Sequence, residues 1–346
     1  MKDKILIILL VCIIFCGCSV VHKSLSYQRE FVVMFYNLEN MFDIYDSENN
    51  EDSDFTPTGM KNWTHSRYET KKKRIWQVIA SADNYKFPDI IGVCEIENQN
   101  VLEDIINTTP LSTIGYKYYY HETQDRRGID VAFLYKEESF KVLETNAISI
   151  FFESDPSYHS RDIIYVKGIA KDFGDTLHFF VNHWPSRYSG YAQSNILRNT
   201  SAKTLKHKTD SIFNTNSNSK IICIGDFNDT PFDESVNVYL GALTNYDTII
   251  PKNLYNLAYY MQKEKKMWTY KYQGSYDILD QIIVSSGLLN GDGIVCSKDD
   301  AETIIRDFLV EYEADGPKPK RTYIGMKYND GFSDHLPVKL VLHNNY

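Results

Sequence analysis

Cysteine is scarce in this 346-residue chain: there are six, and Cys12, Cys16 and Cys18 crowd the N-terminus. Cys94, Cys223 and Cys296 remain, an odd set with neither a zinc-ligand spacing nor a disulfide framework. Cys94 and Cys223 lie in apolar, strand-like runs, where free cysteine behaves as a small hydrophobe. Basic charge is also short, with 37 Lys and Arg against 46 Asp and Glu and a formal net charge of −9. That argues against a broad basic face that coats nucleic acid, although a bound cation and a few local arginines can reverse the field inside a cleft. No apolar run is long enough to span a bilayer, no repeat recurs, and no Gly/Ser/Pro-rich linker divides the body. The acidic stretch from Asp43 to Asp54 lacks the Asp/Asn-Gly pattern of a calcium loop and reads as a solvated loop.

What the N-terminus does contain is Lys2 and Lys4 before an apolar run from Ile5 to Cys16, the layout of a signal-peptide core. Its end, FCGC, resembles the lipobox of bacterial lipoproteins, and small Gly17 makes Cys18 the expected lipidation site. The expected organisation is a signal peptide over 1–17, a tether over 18–29 and one domain over 30–346. Such a protein would be exported and lipid-anchored to a bacterial cell-envelope membrane.

Hydrophobic content of 43% and aromatic content of 14% suit an ordinary globular core. Strands are expected at 31–37, 89–95, 116–120, 130–136, 141–150, 163–170, 176–183, 221–224, 280–285 and 336–342. Helices are expected over 67–83, 99–107 and 192–213, with a short one near 301–311, while 252–276 reads as irregular. Strands in this number with few helices predict two sheets packed face to face with helices outside.

Several strands run into polar groups. In IICIGDFNDTP, a buried strand stops at Gly225 and delivers Asp226 and Asn228 at spacing two. An acid and an amide past a strand end suit holding a water or a metal against phosphate, although the same residues also make ordinary turns. Asn37, Glu95, Asn182-His183 and Ser333-Asp334-His335 stand at similar places, and Asp280 opens a strand. Ligands gather where strand ends converge, so these groups are candidates for one cleft. Arg127, Arg187 and Arg198 are the candidate phosphate contacts, because guanidinium forks match phosphate oxygens.

FYNLEN, CEIEN, GIDVAFLY, NHWPSR, GDFND, LDQIIVS and SDHLPV, in this order, resemble the endonuclease/exonuclease/phosphatase superfamily. Its members include pancreatic deoxyribonuclease, abasic-site endonucleases, sphingomyelinases and inositol-phosphate phosphatases. The resemblance runs from about Phe31 to Leu342 and implies a four-layer α/β/β/α sandwich. It implies a metal held by Glu95 and Asn37, with Asp334 as a further metal or outer ligand; Mg2+ is expected, with Mn2+ or Ca2+ as substitutes. It assigns the attacking water to Asp226 and Asn228, phosphate contact to His335 oriented by Asp280, and a phosphate or leaving-group contact to His183. Either Asp226 or His335 could be the base. The activity implied is phosphoester hydrolysis by activated water, first of all a nuclease-like phosphodiesterase with nucleic acid as substrate. A phosphatase or a phospholipid or sphingomyelin phosphodiesterase is the alternative, and a non-catalytic surface binding module ranks below both.

Overall fold

The computed structural model describes residues 29–48, 50–83, 86–187 and 190–345. Cys18, the expected signal and nearly all of the tether lie outside the described residues. Among the described residues no helix is long and apolar enough to cross a membrane.

In chain order the strands of the two large sheets begin with β1 (Glu30–Met41), β2 (Ile90–Ile96), β3 (Tyr116–Tyr120) and β4 (Asp130–Lys136). Next come β5 (Phe140–Ile148), β6 (Ile163–Ala170), β7 (Asp175–His183), β8 (Lys220–Asp226) and β9 (Leu254–Asn256). The last four are β10 (Asp280–Ser285), β11 (Gly293–Val295), β12 (Ala301–Thr303) and β13 (Val338–Asn345). One sheet runs β11-β13-β1-β2-β4-β3, with β12 also paired to β13; the other runs β5-β6-β7-β8-β10-β9. Pairing is antiparallel except between β1 and β2 and between β7 and β8.

Central strands read as continuous apolar runs because both of their faces are buried. Phe31, Val33 and Phe35 of β1 point into the inter-sheet core with Phe133, Phe179, Val181 and Ile224. Met34, Tyr36 and Leu38 point the other way, against α1 (His65–Ala80) and α2 (Gln99–Thr108). On the opposite surface, Phe180, Ile221 and Cys223 pack beneath Ala202, Leu205 and Phe213 of α3 (Tyr191–Thr215). The result is the expected α/β/β/α layering. The sheets approach closely at Gly92, where a Cβ would lie 2.9 Å from both Ile224 Cδ1 and Val181 Cγ1 of the facing sheet.

Two expectations about the chain's later part are corrected. Instead of a helix, 301–311 contains β12, a single 3-10 turn and the start of a hairpin. Ala301–Thr303 finds β13 as a pairing partner, and that tertiary contact overrides weak local helix propensity. The segment read as irregular, 252–276, includes β9 and the helix α4 (Leu257–Lys263), whose Asn256 cap accepts from Ala258 N.

Candidate active site

Strand direction brings the candidate residues to one edge. The regular parallel pairing of β1 and β2 runs out at Asn37 and Cys94, next to Glu95, and parallel β7 and β8 end at His183 and Asp226. Antiparallel β10 begins at that same edge, with Asp280 opposite Asp226. The turn before β13 returns Ser333 to Asn37, whose carbonyl accepts from Ser333 Oγ at 2.7 Å. Gly225 makes this convergence possible, since a Cβ there would sit 2.3 Å from the Asn182 carbonyl oxygen.

Asp226 occupies the centre. Its Oδ1 accepts from Asn228 N at 2.9 Å, and its Oδ2 accepts from Asn37 Nδ2 at 3.1 Å. The Nε2 atoms of His183 and His335 each lie 3.8 Å from that Oδ2. Burial pushes the Asp226 carboxyl up to about 6 against the opposing pull of His335. His335 Nδ1 donates to Asp280 Oδ2 at 2.7 Å, and both residues are buried. Burial works against a charged His335, but Asp280 and Asp226 together hold its proton affinity well above the ordinary imidazole range. His183 is held well below that range by burial and then by Arg161, Arg127 and His335. One imidazole is therefore a cation and the other a neutral ring.

Glu95 sits on a bulge of β2 at φ +63°, and Asn228 adopts φ +50°, left-handed conformations that non-glycine residues rarely take. Such local strain recurs where a side chain must be aimed. Glu95 Oε2 accepts from Asn40 N at 2.7 Å, while Oε1 is 3.4 Å from Asn37 Nδ2 and 3.9 Å from His183 Nε2. A carboxylate and an amide from adjacent strands suit a hard cation that binds few protein oxygens and keeps waters. Asp226 and Asp280 bring two further carboxylates nearby, their oxygens within 4.8 Å of His335, which as a cation is no ligand itself. Buried His183 Nδ1 and Asp280 Oδ1 have no hydrogen-bond partner among the described residues. The donor chemistry thus fits a divalent metal. Asp334 is tied to Arg321 Nη2 at 2.8 Å, so joining a metal would require it to share or leave that pair.

A sequence model of the Endonuclease/Exonuclease/phosphatase family matches residues 32–344. The chain belongs to this family. No curated protein matches the sequence. Among solved structures, it is similar to the human nocturnin catalytic domain with bound sulfate anion, at a TM-score of 0.54 and 15% identity, covering 91% of this chain and 95% of that one. A mannosyl-6-phosphatase of Bacteroides thetaiotaomicron superposes at 0.53 with 20% identity, covering 90% and 99%. Truncated TDP2 of Caenorhabditis elegans gives 0.54 with 15% identity, covering 91% and 97%. These likenesses establish the sandwich fold.

The arginines depart from expectation. Arg198 is fully buried, with its Nε 2.7 Å from Asp229 Oδ2, so it is withdrawn from any substrate. Arg187 donates through Nε to the Asn228 carbonyl at 2.8 Å and through Nη2 to Asp229 and Asp233 at 2.9 and 2.8 Å. Both arginines brace the GDFND loop. Arg127 stays near enough to lower His183's proton affinity, and its side chain is 38% exposed. Several residues at the site carried no recognisable signal in the sequence. Arg161 is buried between Asp125 Oδ2 at 3.0 Å and the Trp184 carbonyl at 2.7 Å. Thr269 receives Leu279 N and Asp280 N on its hydroxyl, while its carbonyl accepts from Leu336 N. It clamps both partners of the His335–Asp280 pair. Glu39 stood inside FYNLEN, and Arg321 in a stretch with no periodicity to mark it.

Proposed function

We propose that this chain is a divalent-metal-dependent phosphoesterase that cleaves phosphate esters with an activated water. The observation that carries this reading is the buried Asp226, reached by both histidines and by Asn37, beside a His335 anchored to Asp280. Asp226 is the base: its carboxyl, raised toward neutrality, can accept a proton from water at physiological pH. His335 cannot share that task while it carries its own proton, and it faces a phosphate oxygen as a cation. Asn228 donates through Nδ2 to the Trp184 carbonyl at 2.9 Å, which fixes the amide beside the water position. Neutral His183 offers a hydrogen bond to a phosphate or leaving-group oxygen. Glu95 and Asn37 would hold the metal, which would supply Lewis-acid stabilisation of charge on the phosphoryl group, while Asp334 stays with Arg321.

A nuclease-like phosphodiesterase is the first activity to test, with nucleic acid as substrate. A small sugar phosphate is the second reading, favoured by the similarity to a mannosyl-6-phosphatase. Export and lipid anchoring through Cys18 belong to the same proposal. The test is hydrolysis of DNA, RNA, a phospholipid, inositol phosphates and sugar phosphates with Mg2+ or Mn2+, comparing wild type with Glu95→Ala and His335→Ala. Metal-dependent turnover lost in both variants is expected. Wild type matching both variants on every substrate would refute it.

A further inference from the structure

We propose that Arg321 is the arginine that grips the substrate's phosphoryl oxygens, an assignment that rests on the phosphoesterase reading. Its side chain is 40% exposed, in contrast to buried Arg198. Nη2 donates to Asp334 Oδ2 at 2.8 Å and Nε to Glu39 Oε1 at 3.4 Å, whereas Nη1 makes no hydrogen bond among the described residues. Arg321 lines two cavities. One, of about 180 Å³, includes Glu39, Asn40 and Lys61; the other, of about 280 Å³, includes Tyr270, Lys271 and Asp334. Asn40 N holds Glu95, and the Tyr270 ring packs 4.9 Å from that of His335. Arg321 therefore sits between the Glu95 side and the His335 side of the cleft.

That position is built by buried charges. Glu39 accepts from Thr322 N at 2.6 Å while its other oxygen faces Arg321. Lys71 donates to Thr322 Oγ1 at 2.6 Å and to the Phe332 carbonyl. Both are nearly inaccessible, at 5% and 1% exposure. A buried donor or acceptor left without its partner is costly, so these hydrogen bonds of Glu39 and Lys71 resist rearrangement. It fixes both ends of the segment that carries Arg321 and, next to Phe332, Ser333 to His335. A guanidinium preorganised on two carboxylates, with an N–H edge still open, matches the oxyanion of a phosphate. The oxyanion could belong to a monoester or a diester.

Inorganic phosphate binding measured by calorimetry, in wild type, Arg321→Ala and Arg321→Lys, tests the assignment without turnover. Steady-state kinetics on 4-nitrophenyl phosphate and bis(4-nitrophenyl) phosphate separate the two ester classes. Arg321→Ala should weaken phosphate binding on the order of 10- to 100-fold, the scale of a charge-assisted hydrogen bond. KM should rise more than kcat falls, for the monoester alone or for both esters. Arg321→Lys should recover part of the loss. If Arg321→Ala does not fold, Arg321→Lys decides, and phosphate affinity equal to wild type overturns the assignment. So does Arg321→Ala binding phosphate as wild type does, or wild type failing to bind it. A wild type that binds phosphate through Arg321 but hydrolyses neither these esters nor the substrates named above would refute the phosphoesterase reading and leave Arg321 as a phosphate-binding residue only.

Discussion

The two walls of the cleft use arginine in opposite ways. On the second-sheet wall, Arg187 and Arg198 converge on Asp229, a carboxylate with no exposed side-chain surface, and lock the loop that carries Asp226 and Asn228. On the first-sheet wall, Arg321 rests on Asp334 and Glu39 with two-fifths of its side chain exposed between two cavities. The residue type is the same, but Arg198 is fully buried, and Arg187, although 35% exposed, turns its guanidinium onto the Asn228 carbonyl, Asp229 and Asp233. A guanidinium enclosed by acids holds a loop in place, whereas one supported from behind and open in front can receive an anion. The histidines repeat the contrast: carboxylates keep His335 protonated, while burial and Lys167 drive His178, away from the candidate site residues, down to about 4.

The largest effect should come from the bond that ties the walls together. Asp280→Asn removes the charge behind His335, and kcat should fall by roughly 10²–10⁴-fold, measured well below the lowered unfolding midpoint that loss of this buried pair brings. Steady-state kinetics beside thermal melts would show whether rate and stability separate. Arg198→Ala removes one of the two guanidinium partners of Asp229, leaving Arg187 and the Ser235 hydroxyl, and should cost about 1.5–3 kcal/mol in urea unfolding; a loss below about 1 kcal/mol would erase the distinction between bracing and binding arginines.

A smaller effect belongs to His178, which stays neutral in the fold but protonates when unfolded. Its contribution is complete above the ordinary imidazole value of 6.5 and is lost as pH falls toward about 4. Chemical denaturation at pH 7 and pH 4.5 should show His178→Gln losing roughly 1–2 kcal/mol less than wild type across that interval. Smallest should be the catalytic consequence of Arg187→Ala: lower stability, but KM within about threefold of wild type because the guanidinium faces Asn228, Asp229 and Asp233. A KM shift as large as that of Arg321→Ala would return Arg187 to the substrate side.

The sheets were largely legible because their strands are apolar on both faces, a pattern that survives without tertiary information. β1, β2, β7 and β8 were also readable as strands ending in chemistry, since Asn37, Glu95, His183 and Asp226 interrupt otherwise hydrophobic runs. What escaped depended on distant partners. Arg321 finds Glu39 across 282 residues, and Lys71 finds Thr322 across 251, so no local window shows their pairing. β12 is three residues long and exists because β13 is beside it. Arg198 was misjudged for the same reason: its surface-or-core placement depends on Asp229, which arrives from the neighbouring loop.

Hydrolysis in 18O-labelled water tests the chemistry most directly, using a phosphate ester that the wild type turns over in Mg2+. One 18O atom should appear on the phosphate product at each turnover, none on the alcohol, and Glu95→Ala should yield neither at a comparable rate. Label on the alcohol, or equal incorporation by the variant, would contradict cleavage of the P–O bond by water activated in this site.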